Sequence, residues 1–218
     1  MKYEEYRYIY PPRPVQTIQW TELPKYDNGQ FIAQPKYNGT CCVLFLNGDT
    51  IKVMNRHNGL ISSNYSEVDL KGLYSGKGWM VICGEFLNKN KKGEDNNPFN
   101  LKFIIWDILV YNGNYMIGST MTERLRLLEE LYPSYSTIVI GDSIKSFNHL
   151  NVTKCKNVYK APTYTGYFPE LYQSIVNTDL YEGLVLKRKD AKLNFGFSEK
   201  NNNEWQIKCR KPTKNYDF

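Results

Sequence analysis

Two apolar runs, Cys41 to Leu46 and Ile51 to Met54, flank the dipeptide Asn47-Gly48. That pair marks a β-hairpin, because the central positions of a tight turn must tolerate positive φ and Asn and Gly do so at little cost. Further apolar stretches predict strands over Trp79–Leu87 and Phe103–Tyr111, separated by the Lys- and Asn-rich segment Asn88–Asn100, which reads as an exposed, mobile loop. Leu184–Lys187 and Trp205–Arg210 read as closing strands. Helical signals are fewer. Thr120-Met121-Thr122-Glu123 has the form of a capping box, after which Leu125, Leu128 and Leu131 recur at helical spacing until Pro133 stops the run. Phe168–Val176 is a second helix candidate. The fold class is therefore α+β: antiparallel sheets with a few flanking helices.

A chain of 218 residues fits one domain with a substantial core. Residues 1–30 read as an extended arm, because Pro11-Pro12-Arg13-Pro14 holds the backbone open, and residues 31–218 as the domain. The net charge of +6 permits a polyanionic partner without demanding one. Lys187-Arg188-Lys189 and Lys208, Arg210, Lys211 and Lys214 make the last quarter the most basic, with Lys189, Lys211 and Lys214 read as solvated surface. Five cysteines without a CxxC pair, and only two histidines, argue against structural zinc and for reduced thiols in a cytosol-like compartment. No apolar run approaches a membrane span, and the charged start is no signal peptide.

Within this frame one lysine stands at the head of an ordered set. Lys36, in Lys36-Tyr37-Asn38-Gly39, is followed by Arg56, then Glu85 after Gly84, then Trp106, then Glu182 and Lys187 in Glu-Gly-Leu-Val-Leu-Lys, and finally Lys208 and Arg210. A lysine amine can attack phosphorus if neighbouring cations or a metal disfavour its ammonium form, and Lys187 and Lys208 are suitable neighbours. Glu85 and Glu182 lie in apolar segments, where a carboxylate is costly unless it holds a metal, a cation or a sugar hydroxyl. Glu182 suits Mg²⁺ bridging to phosphate, and Glu85 a ribose. Trp106 offers a flat face to a purine, and Arg56 a fork of donors to phosphate or ribose. Lys208 and Arg210, two apart, share one strand face. Each residue also has a plain structural reading: a surface lysine, strand-end carboxylates paired with lysines, a core tryptophan, a solvated turn arginine. His57 reads as a turn residue.

Taken in order, these segments resemble the covalent nucleotidyltransferases, that is, polynucleotide ligases and mRNA capping guanylyltransferases. The resemblance runs from about Phe31 to the C-terminus and implies an ATP-grasp-like nucleotidyltransferase domain. It implies Lys36 as the nucleophile that becomes attached to a nucleoside monophosphate, and Glu85 as the ribose ligand. Trp106 stands where an aromatic stacks on the base, and Glu182 and Lys187 where the family has a metal-binding Glu and a phosphate-contacting Lys. Lys208-Cys209-Arg210 is similar to the family's Lys-x-Lys, and Asn55–Gly59 to its Arg-Gly segment with Arg56. ATP and Mg²⁺ or Mn²⁺ are the implied cofactors, and nucleic acid with 5′-phosphate and 3′-hydroxyl ends is the implied partner. Lys187 is the ligase form, whereas Lys211-Pro212 and the Asp217-Phe218 ending are similar to capping enzymes, which use GTP. Asn38 departs from the family's common Asp, and Cys41 from an Arg common in DNA ligases and capping enzymes. Strand Phe103–Tyr111 and the helix after Thr120 are similar to DNA ligases, while Cys41 and the missing OB domain are similar to RNA ligases. The balance leans to RNA over nicked DNA. Asn38 and Cys41 also leave a non-catalytic nucleic-acid-binding relative as an alternative. The resemblance further implies an OB-type function after Arg210, which a partner or another C-terminal module would supply.

Overall fold

The computed structural model describes residues 1–62, 65–87, 101–139, 149–178 and 180–212. The loop Asn88–Asn100, Lys214 and the Asp217-Phe218 ending lie outside the described residues. In chain order the elements are β1 (Arg13–Ile18), α1 (Leu23–Tyr26), β2 (Phe31–Tyr37), β3 (Thr40–Asn47) and β4 (Thr50–Asn55). Then come β5 (Met80–Leu87), β6 (Lys102–Tyr111), β7 (Asn114–Tyr115), α2 (Met121–Leu131), β8 (Ser136–Val139) and β9 (His149–Val152). The last are β10 (Val158–Lys160), α3 (Phe168–Ile175), β11 (Tyr181–Arg188) and β12 (Asn202–Arg210). They form two sheets. The smaller has the order β1-β12-β11-β2, and the larger β4-β3-β5-β6-β10-β9-β8 with β7 on β6.

The hairpin falls one residue later than its sequence signal. Asn47 pairs with Thr50, so the two-residue turn is Gly48-Asp49, with Gly48 at φ 58°. Gly occupies the first central position, where only a residue without a Cβ adopts positive φ freely. Most pairings are antiparallel, as expected, but β1–β12 and β10–β6 are parallel. β2 is an edge strand, which is why it accommodates Pro35, a residue with no N–H to give to a ladder.

β5 and β6 read as continuous apolar runs because both faces are covered. On one side Leu128 and Tyr132 of the α2 region pack with Ile82, Phe103 and Ile108. On the other, Tyr3, Tyr8 and Ile9 pack with Phe45, Val81 and Leu109. The N-terminal stretch is thus packed into the body: Ile9 and Leu23 are fully buried. Tyr6 and Tyr8 lie against Phe45 with ring centroids 5.1 and 5.6 Å apart. Part of the high tyrosine content is spent on this cover. A third cluster joins α3 to the small sheet through Phe168, Leu171, Ile175, Leu184, Leu186 and Ile207.

Helix α2 begins as its capping box specifies. The Glu123 amide donates to the Thr120 hydroxyl at 3.2 Å, and the Thr120 amide donates to the Glu123 carboxylate at 2.7 Å. Of the leucines at helical spacing, Leu128 is buried and Leu125 and Leu131 are partly so. The residue driven deepest from this helix is Arg124, fully buried.

Candidate active site

The register of the small sheet builds one wall of a cavity. Lys36 on β2 lies opposite Gly183 on β11, which lies opposite Arg210 on β12. One row along, Gln34, Val185 and Lys208 align in the same way, and Lys187 lies opposite Gln206. Side chains two apart on a strand share a face, so these rows point together into the cavity that they line. The large sheet supplies the other wall with Glu85 from β5 and Trp106 from β6, while Cys41 of β3 and Arg56 after β4 close one side. Seven of the eight residues singled out in the sequence therefore line a single cavity, and the eighth, Glu182, touches its nucleophile candidate.

Glu182 reaches Lys36 through an irregularity. The β11–β2 register shifts between Tyr181 and Gly183, and Gly183 takes φ 134°. A shift of this kind re-aims a side chain. The Glu182 carboxylate accepts from Lys36 Nζ at 2.5 Å and pairs with Arg210 Nη2 at 3.3 Å. A Cβ on Gly183 would fall 2.0 Å from the Cys209 carbonyl oxygen, a backbone atom that cannot step aside. Gly183→Ala is therefore expected to destabilise the fold by roughly 2–4 kcal/mol. Thermal denaturation checks this, and a variant as stable as the parent would show that β11 can relax.

Glu85 is tied to the turn after Lys36: its carboxylate accepts the Gly39 amide at 3.1 Å. Burial pushes its carboxyl up to about 7, with the nearby Lys36 ammonium opposing that rise and Glu182 adding to it. Gly39 itself crowds β5, since a Cβ there would meet the Phe86 carbonyl oxygen at 2.7 Å. Lys187 is buried, with Nζ 3.3 Å from the Trp106 carbonyl oxygen and 4.7 Å from the centre of its ring. Burial lowers the Lys187 ammonium to about 8, against the pull of Asp107 and with the help of Arg124. Lys208 is also held below the usual lysine range, by partial burial and by the cations of Arg210, Lys36, Arg13 and Arg56. Arg56 is exposed, and its Nε donates to His57 at 3.0 Å within the turn. The Cys41 thiol is pushed up to about 12 by burial, which makes it a small apolar group rather than a nucleophile.

The sign of the Lys187 shift sets a test. An unfolded lysine titrates near 10.4, so the folded chain holds fewer protons than the unfolded between pH 8 and about 10.4, and stability rises with pH across that window. Below pH 8 the buried charge costs its full amount. Lys187→Met is expected to raise the denaturation midpoint at pH 7 and to lose most of that advantage by pH 10, as urea titrations at the two pH values would show.

Three features were not found from the sequence. Gln34 is buried with its amide oxygen lacking a partner, while its nitrogen donates to Thr163 at 3.2 Å; counting back by two from Lys36 along an extended strand was the signal available. Arg13 lines the cavity from β1, and nothing local in the sequence marks it. The third is the ion pair behind Trp106. Arg124 Nε and Nη2 donate to the two Asp107 oxygens at 2.8 and 3.2 Å, with both side chains fully buried. Lys211, read as solvated, instead donates to the carbonyls of Val176 and Thr178 at the end of α3. Among the described residues no group of three or more His, Cys, Asp or Glu is arranged to hold a metal, and no helix is long and apolar enough to cross a membrane.

No protein-family model matches the chain, and no curated protein is significantly similar in sequence. Solved structures are similar in fold. The ligase domain of LigD from M. tuberculosis superposes with a TM-score of 0.60 at 14% identity, over 93% of this chain and 59% of that one. A Lig E DNA ligase gives 0.53 at 15% identity, over 91% of this chain and 69% of that one. The ATP-dependent DNA ligase of bacteriophage T7, in complex with ATP, gives 0.52 at 14% identity, over 92% and 68%. This chain thus spans about three fifths of the mycobacterial ligase domain. Two sheets enclosing a lysine-centred cavity give this chain the fold of the nucleotidyltransferase domains of ATP-dependent DNA ligases.

Proposed function

We propose that this chain is the adenylyl-transferring core of an ATP-dependent polynucleotide ligase. The observation that carries the reading is the convergence of Lys36, Glu85, Trp106, Lys187, Lys208 and Arg210 on one cavity although the sequence scatters them over most of its length. Lys36 Nζ attacks the α-phosphorus of ATP; the P–N bond forms as the bond to the pyrophosphate oxygen breaks. Glu182, already on Lys36 Nζ, is placed to take the proton. Trp106 stacks on the base, Glu85 holds the ribose, and Lys187 and Lys208 offset the charge that builds on the phosphate. The AMP then passes to a nucleic-acid 5′-phosphate, and a 3′-hydroxyl displaces it to seal the strand. A Mg²⁺ or Mn²⁺ ion fits the donor set: such ions bind through one or two carboxylates plus substrate phosphates, and Glu182 would hold it. When bound, the ion neutralises phosphate charge.

The alternative is a guanylyltransferase using GTP. Its sequence support included Lys211, whose ammonium is engaged by the carbonyls ending α3. One experiment separates the readings: incubation with labelled ATP or labelled GTP and Mg²⁺, followed by denaturing electrophoresis. Label from ATP supports the ligase reading, label from GTP alone replaces it with capping chemistry, and no label on folded protein overturns both in favour of a binding module. Sealing of nicked RNA in preference to nicked DNA is the expected substrate order, and the reverse order would reassign it.

A further inference from the structure

The segment before β1 forms part of the cavity wall, and its construction points to a ligand. Pro11, Pro12 and Pro14 lock three of four consecutive φ angles, so the stretch arrives pre-shaped. It is pinned from β12 and the loop before it. The Tyr10 amide donates to Gly196 O at 2.6 Å, and the Arg13 amide to Asn201 O at 2.9 Å. The side-chain amides of Asn201 and Gln206 donate to Tyr10 O and Pro12 O at 2.7 and 3.4 Å. This rigid stretch delivers a single charge, Arg13, into the cavity.

Four of the other five cations there are occupied. Lys36 and Arg210 share Glu182, Lys187 donates to Trp106 O, and Arg56 donates to His57. The Arg13 guanidinium and the Lys208 ammonium have no hydrogen-bond or ion-pair partner among the described residues. The cavity thus brings together six cationic side chains and two carboxylates, Glu85 and Glu182. A guanidinium fixed among like charges is a cost that a multiply charged anion removes, and its planar fork matches phosphate oxygens.

We propose that Arg13 binds the polyphosphate of the nucleotide, holding the β- and γ-phosphates that leave as pyrophosphate. This deepens the ligase reading and rests on it for the identity of the nucleotide, but the contact itself is a property of the cavity. The in-line geometry of phosphoryl transfer puts the leaving oxygen opposite Lys36, so a cation off the Lys36 strand is the kind needed. Arg13, on β1, is separated from β2 by β12 and β11.

The test uses the full chain, as parent, Arg13→Ala and Arg13→Lys, with inorganic pyrophosphate as the probe and equilibrium dialysis as the measurement. Arg13→Ala is expected to weaken pyrophosphate binding roughly 10- to 100-fold, and Arg13→Lys, which keeps the charge without the fork, by less. In the labelling reaction the ATP concentration for half-maximal rate rises in parallel. Equal pyrophosphate binding by parent and Arg13→Ala overturns the proposal, as does a parent that binds no pyrophosphate. It is also overturned if Arg13→Ala weakens binding of a 5′-phosphorylated strand and leaves pyrophosphate unaffected. A parent that binds pyrophosphate through Arg13 yet takes no label from ATP would sink the ligase reading and leave the polyphosphate site standing.

Discussion

Lys36→Ala is expected to abolish covalent attachment of nucleotide, leaving no labelled band with ATP, while the protein stays folded. The fold should survive because Lys36 is a partly exposed partner of Glu182, and such pairs contribute at most about 1 kcal/mol. Arg210 remains on the same Glu182 oxygen when the lysine is gone. Lys36→Arg is expected to lose the label as fully, since a guanidinium keeps its proton and offers no amine lone pair. The pair of variants separates charge from nucleophilicity. Label on either one, at a parental melting temperature, would move the nucleophile to another residue.

What the sequence showed and what it hid follow from how each residue works. Glu85 and Glu182 stood out because a carboxylate is conspicuous in an apolar segment, whereas Lys36 and Lys187 were singled out by their place in an ordered set of residues; their roles are proposals. Strands β3, β5 and β6 were legible because their apolar runs are long, and α2 because its cap is written in four consecutive residues. The N-terminal stretch was harder. Its tyrosines and prolines carry neither a period of two nor of 3.6, so nothing in them announces that Tyr3, Tyr8 and Ile9 close one face of the large sheet. The place of Arg13 in the cavity depends on a parallel pairing between residues at opposite ends of the described chain, a contact no local pattern encodes. Lys211 misled for a similar reason: a lysine near a basic tail looks solvated, and its partners are carbonyls just past the end of α3, more than thirty positions away.

The second large effect lies behind the cavity. Arg124→Ala is expected to destabilise the protein by about 3–5 kcal/mol, because it strands the Asp107 carboxylate in the interior without its bidentate partner. Against a total stability of about 5–15 kcal/mol for an ordinary domain, that is a large fraction. The guanidinium also donates to Ser119 O at 2.8 Å, so its loss opens the start of α2 as well. A urea midpoint measures the loss, and a midpoint within about 1 kcal/mol of the parent would mean that water reaches Asp107. Pairing the change with Asp107→Leu is expected to restore much of the loss, since two apolar side chains leave no charge unpaired. The same pair bears on the cavity. Asp107 favours the Lys187 ammonium and Arg124 opposes it, so the double variant removes both influences while leaving the lysine buried.

The parallel pairing of β1 with β12 has a consequence for when the protein becomes competent. β12 lies between β1 and β11 and carries Lys208 and Arg210, so the small sheet stays open until that late strand inserts. A chain growing from its N-terminus exposes Lys36 well before β12 has been synthesised. Ring closure over so long a separation is slow compared with local helix and hairpin formation. The order of synthesis thereby acts as a timer: until β12 has been made and paired with β11, Lys36 stands without Lys208 and Arg210 beside it.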